Sequence, residues 1–375
     1  MKILFDASNL FSANGGGVYN YLLKFLPELI QQAEINNDQL KFFHLYFRAN
    51  EKFSHPALLK SEILRLRFPV KLINSLWISF NLPDLSLFYK NFDIFHSPHF
   101  SLPAFSSAKK ILTVNDITYL KHPEFFSSKG KKLNDYGYKK LLSANVLRAD
   151  KIIAISQYTK NDLIDYFGLP ESKISVVYIG CDSTLKMDAL NLQKSLDAFN
   201  ISDGQYIYFP VGTLEPRKNI NSTIKAFLNS NASLKLKLVL SGVGSYDFVD
   251  NIHSNHNVKI VRWNSLQERN ALYQGAAFVL YPSLYEGFGM PVVEAMAAAK
   301  AVLTSNTTSL AEIADGYAHM VDPLNIDEIT DGINQLFSDH SYRHDLEVLS
   351  IRRSNDFTWR KMAADTYKIY KHLYN

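Results

Sequence analysis

Two short stretches of the chain set charged side chains where the backbone must turn. "EGFGMPVVE" carries Glu286 and Glu294 around Gly287, Phe288, Gly289 and Met290, directly after the apolar run "AAFVLYPS". Glycines admit positive φ and a proline suits a helix's first turn, so the stretch reads as strand, tight loop, helix. The amides near Gly289 and Met290 then point out of a helix N-terminus, where unpaired donors and the positive dipole end favour a phosphate-like anion. Glu294 falls on the first turn and Glu286 in the loop beside the anion. The plainer alternative is that glutamates enrich first turns for dipole reasons and the glycines only shape a turn. The second stretch, "VGTLEPRKN", places Arg217 and Lys218 at the end of another apolar run. A planar guanidinium fork next to a compact ammonium suits a diphosphate, the alternative being a solvated surface pair.

The first half of the chain holds further candidates. In "SANGGGVYNYLL", Gly15, Gly16 and Gly17 precede a helical pattern, so backbone can approach a ligand closely there. The GxGxxG dinucleotide fingerprint is absent. Asn115 and Asp116 close the run "TVND", and His96 and His99 lie in "HSPHFSLP", read as a loop at a strand end. No histidine or cysteine set has zinc spacing and no Asp-x-Asp pair occurs, so neither a metal nor a cofactor is expected. "LSGVGSY" is a GxG without the rest of a fingerprint and reads as a tight turn.

Strand-like runs alternating with helical patterns must position these residues. The first series runs from "KILFDA" to "ISVVYIG"; a polar stretch, 183–204, interrupts it; a second series restarts at "YIYFPVG". Helices between strands imply right-handed βαβ crossovers and parallel sheets. The fold class expected is α/β, with two doubly wound, Rossmann-like domains facing an interdomain cleft, spanning 1–182 and 205–357 and joined by a linker at 183–204. A length of 375 residues suits two cores. The closing segment shows an apolar stripe of Trp359, Met362, Ala363, Thr366, Tyr370 and Leu373, with Thr358 as N-cap.

Composition excludes several classes. Hydrophobic residues at 47% and charged residues at 20% describe a globular protein, and a net charge of +4 argues for no nucleic-acid partner. One cysteine, Cys181, rules out an internal disulfide framework. No secretory leader and no bilayer-length apolar run stand out, which implies a cytoplasmic location or a peripheral one on the membrane's inner face. Residues 63–80 and 127–140 mix Arg and Lys with Trp, Phe and Tyr. Such segments suit anionic lipid or phosphate groups, and equally an ordinary solvated basic face beside core aromatics.

Taken together, "GGGVYNYLL", "FHSPHFSLP", "TVNDITYLKHPEFF", "AISQYTKNDL", "VGTLEPRKN", "PSLYEGFGMPVVEAMA" and "FTWRKMA" resemble the retaining GT-B glycosyltransferases of glycosyltransferase family 4. The resemblance runs nearly the full length. It implies a nucleotide-diphosphate sugar as donor substrate and a saccharide or lipid-linked saccharide as acceptor. Arg217 and Lys218 would hold the donor diphosphate, Glu294 the ribose hydroxyls, and Glu286 with the amides of Phe288 and Gly289 the donor sugar and β-phosphate. Gly16 and Gly17 would close over the donor, and the final helix, about 358–375, would pack back on the first domain. "HSPH" and the D-x-x-x-L-K-x-P pattern resemble bacterial mannosyltransferases of O-antigen or capsule assembly, which points to GDP-mannose; UDP- and dTDP-sugars are the alternatives. The chain departs from the family where His-Asp is usual and Asn115-Asp116 stands, and where Ala299 and Ala301 replace common Gly and Pro. The first departure leaves open a non-catalytic, nucleotide-sugar-binding partner subunit. An epimerase of the same fold would need paired acid and base residues, and none is apparent.

Overall fold

The computed structural model describes residues 1–11, 17–47, 58, 61–126, 132–182, 187–243 and 255–375. Two compact units result: one of Met1–Lys121, Ser127–Gly180 and Trp359–Asn375, the other of His122–Phe126 and Cys181–Thr358. In chain order the first unit's strands are β1 (Lys2–Asp6), β2 (Gln39–Tyr46), β3 (Ile63–Arg67), β4 (Ile94–Ser97), β5 (Lys109–Val114), β6 (Lys151–Ala154) and β7 (Ile174–Val176). They form one sheet in the order β3-β2-β1-β4-β5-β6-β7. The second unit's are β8 (Tyr206–Thr213), β9 (Lys237–Val243), β10 (Val258–Val261), β11 (Val279–Tyr281), β12 (Val302–Ser305) and β13 (His319–Val321), in the order β10-β9-β8-β11-β12-β13. The pairings between these strands are parallel.

Continuous apolar runs explain why these are buried parallel strands: Ile3, Leu4 and Phe5 of β1 are inaccessible on both faces, as a sheet covered on both sides demands. Helices supply the cover. Gly17–Ile35 buries Tyr21, Leu22, Phe25, Leu26 and Leu29, a stripe at helical spacing. Gln157–Phe167 starts at Ser156, whose hydroxyl accepts from the Thr159 amide, and stops at Gly168 with φ 63°. In each sheet the chain order reverses once, between β1 and β4 and between β8 and β11. Such switch points open a crevice beyond the strands' carboxyl ends.

Three expectations are corrected. Residues 63–67, read only as part of a basic, aromatic segment, are the edge strand β3, and Trp77 of that segment is core, its indole N–H donating to the Pro83 carbonyl at 3.1 Å. Its partner segment, 127–140, lies partly outside the described residues. The stretch read as a linker, described from 187 onward, contains the helix Ala189–Asp197, capped by Asp188 and burying Leu192 and Leu196 in the second unit. Polar composition concealed a helix whose short apolar face needs only one neighbour. His96 is not in a loop: it lies within β4, fully enclosed.

His96 and the C-terminal helix Trp359–Tyr374 are bonded to each other. Nδ1 lies 2.5 Å from the Tyr370 hydroxyl and Nε2 2.8 Å from Thr113 Oγ1. The same helix buries Met362, Ala363, Thr366, Tyr367, Ile369 and Tyr370, and its Lys371 pairs with Asp38 at 2.8 Å. Asp38 also takes the N-terminal ammonium at 2.8 Å and the Tyr367 hydroxyl. Leu373 and Trp359, expected in the stripe, are only half-buried.

Burial pushes the His96 pKa down from 6.5 to about 3. As pH falls, the unfolded chain therefore takes up this proton before the folded one does. The contribution of neutral His96 is complete above the unfolded value and is lost progressively as pH drops toward the folded one. His96→Gln should flatten the decline of unfolding free energy with acidification from about pH 6 to about pH 4, by up to ~1.4 kcal/mol per pH unit. Urea denaturation at several pH values measures this, and parallel slopes for the two proteins would refute it.

Candidate functional site

The switch point of the second sheet brings the two charged stretches together. β8 ends in a register shift between Pro210 and Gly212, where Gly212 takes φ 72°, and the 3-10 turn Pro216–Lys218 follows. Asn219, at φ 57°, stops that turn and starts the helix Ile220–Asn229, while its side-chain amide donates to the Pro282 and Pro323 carbonyls at 3.0 and 2.6 Å. The loop after β11 is laced to this turn by backbone: Leu284 N–H and the Ser283 hydroxyl both donate to the Arg217 carbonyl, at 2.7 and 2.9 Å.

Glu286 is buried at the centre. Its Oε1 accepts from Lys218 Nζ at 2.5 Å and from the Tyr281 and Ser283 hydroxyls at 2.9 Å each, and its Oε2 lies 2.8 Å from Arg217 Nη1. Burial alone would raise its pKa, but Arg217 and Lys218 outweigh that and hold it down at about 2, so it is ionised. Lys218 is itself buried and also donates to the Tyr281 hydroxyl at 2.5 Å. Arg217 has a second carboxylate partner, Glu215, at 2.6 Å from Nε. Two cations therefore face two carboxylates.

Beyond Glu286 the chain passes Gly287 and buried Phe288 to Gly289, the N-cap of the helix Met290–Ala297. Gly289 takes φ 103°, a conformation that favours glycine, and a Cβ there would stand 2.5 Å from Leu310 Cδ2, so that leucine's end would also have to shift. No side chain caps this helix start. Pro291 occupies its first turn as expected, but Glu294 is the fifth helical residue, one turn further in than the sequence suggested. With Gly289 as N-cap and Met290 as the first helical residue, four residues already fill the first turn before position 294. Glu294 is also not joined to Arg217 or Lys218; its carboxylate meets Arg269 and Tyr273 of the helix Leu266–Gln274, at 2.8 Å each.

Asn115 and Asp116 belong to the first unit, just past the carboxyl end of β5. Asp116 Oδ1 accepts from Thr118 N–H at 2.9 Å and from the Thr118 hydroxyl at 2.6 Å, fixing the turn into the short helix Thr118–Lys121. Asn115 Oδ1 is buried with no hydrogen-bond partner among the described residues. Gly17 is the first residue of its helix, and a Cβ on it would meet nothing within 4 Å among the described residues; Gly15 and Gly16 lie outside the described residues, as does the second glycine of "LSGVGSY". His99 is half-buried against Phe100, and desolvation of its ring pushes its pKa down to about 3. Among the described residues no group of three or more His, Cys, Asp or Glu is placed to hold a metal ion.

Sequence reasoning passed over Tyr281 and Ser283, although both stand in the quoted run before Glu286. It also passed over Glu215, Arg269 and Tyr273. The last two are four residues apart and so share a helix face, but nothing local marks their partner on another helix.

Two doubly wound parallel sheets, with paired cations and a glycine-shaped loop at the switch point of the second, define a GT-B glycosyltransferase fold. The chain belongs to the glycosyltransferases whose domains it carries: "Glycosyltransferase Family 4" over residues 37–185 and "Glycosyl transferases group 1" over residues 193–348. It is 25% identical over 395 residues to O-antigen chain mannosyltransferase B of Escherichia coli, covering 100% of both chains. Its fold matches that of sucrose-phosphate synthase from Thermosynechococcus elongatus with a TM-score of 0.75 at 17% identity, over 100% of this chain and 99% of that one. Anabaena HepE, solved with UDP-glucose, matches with a TM-score of 0.71 at 18% identity, over 98% and 99%.

The helix that bears Glu294 leaves a testable asymmetry at its two ends. Gly289→Ala should cost roughly 2 kcal/mol or more, from a left-handed alanine and the Leu310 clash together. Ala299, just past the other end, already adopts φ 59°. Ala299→Gly should therefore stabilise the protein by about 0.5 kcal/mol, relief of that strain being offset in part by a more flexible unfolded chain. Chemical denaturation of both variants is the check, and a stable Gly289→Ala protein would contradict the backbone assignment.

Proposed function

We propose that this glycosyltransferase moves mannose from GDP-mannose, with retention of anomeric configuration, to a saccharide or lipid-linked saccharide. The observation that carries the proposal is Glu286, held between Arg217 and Lys218 at the mouth of the second sheet. The mannosyl choice is supported by the relative's name and by the O-antigen-type motifs in the first half; the retaining outcome is supported by the family resemblance.

The residues divide the work by chemistry. Arg217 exchanges Glu215 for a phosphate oxygen, which keeps its charge paired while a dianionic diphosphate is drawn in. Lys218 and the amides at Gly289 and Met290 take further phosphate oxygens, so charge developing on the departing diphosphate meets fixed donors. Glu286, ionised, orients both cations, and its Oε2, which among the described residues meets only Arg217, accepts from a hydroxyl of the donor sugar. Glu294 accepts from the ribose. With the leaving diphosphate taking the acceptor's proton on the same face, no protein base is obligatory, and Asn115 serves as a positioning group. Its unpartnered Oδ1 is an acceptor for a sugar hydroxyl, and its amide can donate as well.

The test is turnover and binding with GDP-, UDP-, ADP- and dTDP-sugars. A ligand at 100 times its Kd should stabilise the folded protein by about 2.7 kcal/mol. GDP-mannose should be turned over in EDTA, since protein cations are proposed to hold the diphosphate. Arg217→Ala should raise the barrier by roughly 3 to 4 kcal/mol in kcat/KM and Asn115→Ala by about 1 to 3 kcal/mol. Turnover abolished by EDTA and restored by magnesium or manganese would overturn the diphosphate assignment. A wild type inert toward every nucleotide sugar, with Asn115→His active, would establish the partner-subunit reading instead.

We also propose that the first unit docks on an anionic membrane, the acceptor being carried on a lipid. Val70, Leu72, Phe80, Leu82, Leu87 and Phe88 are exposed in one short stretch, with Lys71 and Lys90 beside them. Apolar side chains can insert while each cation contributes about 1 kcal/mol near an anionic leaflet. In flotation at low salt the protein should rise with phosphatidylserine vesicles and less with neutral ones, and Phe80→Ser with Leu87→Ser should weaken both. Equal partition between the two vesicle types would remove the idea.

A further inference from the structure

Glu294 projects to the helix Leu266–Gln274, where Arg269 and Tyr273 each occupy one carboxylate oxygen. Arg269 Nη1 is 2.8 Å from Oε1, and the Tyr273 hydroxyl donates to Oε2 at 2.8 Å. Both supports are themselves fixed. The Arg269 guanidinium lies 6.0 Å from the centroid of the Trp263 ring, and Tyr273 is buried edge-on to Tyr208 at 4.9 Å, with Tyr208 in turn 2.5 Å from the Ser241 hydroxyl. Burial, with Glu294 adding to it, pushes the Tyr273 phenol well above its ordinary pKa, so it stays a donor. Arg269 Nε, by contrast, is buried with no hydrogen-bond partner among the described residues. Arg269 Nη2 makes only a long bond to Asn270 Oδ1, at 3.4 Å, so the short contact with Glu294 is the arginine's strongest.

Each oxygen of an ionised carboxylate accepts in two lone-pair directions. With one direction taken on each oxygen by a fixed donor, one remains on each. Two acceptors at carboxylate spacing match a vicinal diol, which donates one hydroxyl to each. We propose that Arg269 and Tyr273 are positioning residues that hold Glu294 in the attitude that accepts both ribose hydroxyls, and so set the preference of the donor site for a ribonucleotide. The inference rests on the proposed ribose role of Glu294. It does not depend on which sugar is transferred.

The experiment is isothermal titration of the full chain with GDP, UDP and ADP and with the 2′,3′-dideoxy form of each. Wild type should bind its preferred diphosphate about tenfold or more tightly than the dideoxy form, the loss expected for hydrogen bonds to a charged acceptor. Tyr273→Phe and Arg269→Gln should shrink that ratio to about threefold or less while leaving the dideoxy affinity within about twofold of wild type. Arg269→Lys, which keeps the charge, should fall between. Variants that retain the wild-type ratio, or that lose both ligands equally alongside a lowered Tm, would show Arg269 and Tyr273 to be structural only. A wild type that binds a diphosphate without discriminating its dideoxy form would refute the ribose role of Glu294 and the inference with it. Binding of none of the three diphosphates would refute the donor reading itself.

Discussion

The buried carboxylate of Glu286 is the constraint on which the second unit's site depends. An ionised group enclosed in protein is tolerable only with opposite charge and hydrogen bonds close by, and removing one partner of such a pair costs about 3 to 5 kcal/mol. Glu286 has both kinds of partner: Lys218 and Arg217 from the loop after β8, Tyr281 and Ser283 from its own. Two loops that share only strand neighbours are thereby locked into one body. Bonds from the Leu284 amide and the Ser283 hydroxyl to the Arg217 carbonyl repeat the lock without charge.

That lock explains the demands on the residues around it. Lys218 must be buried, so a lysine sits where an apolar side chain would be usual, and Tyr281 lends it a hydroxyl oxygen as acceptor. Gly289 must turn with positive φ so that the next helix begins immediately beyond Glu286, placing its first amides within the same small region.

The first unit uses buried polarity differently. His96 is neutral, bonded on both ring nitrogens, and joined to a helix 274 residues away in sequence. Asp38 gathers an ammonium, a lysine and a phenol. These bonds give the C-terminal helix one attitude on its apolar seat, which hydrophobic contact alone would leave free to slide.

Much of this was legible in the chain itself. Apolar runs separated by helical patterns specify parallel strands in two series, because period and length are local properties. Glycine, proline and the charged pair likewise mark the loops after β8 and β11, since turn chemistry is local too. Hidden were the features that need partners from elsewhere. The strand β3 looked like a basic surface because alternate side chains of an edge strand face water. The helix Ala189–Asp197 looked like a linker because two leucines suffice to bury it. His96 looked like a loop residue because its real partner is on the last helix. Residue type and order determined which loops carry charge and where the helices after β8 and β11 must begin. Only tertiary structure decided that Glu286 would sit between Arg217 and Lys218 while Glu294 turned to Arg269 and Tyr273, because a buried carboxylate is satisfied by whichever donors the packing of distant strands and helices brings within hydrogen-bond reach.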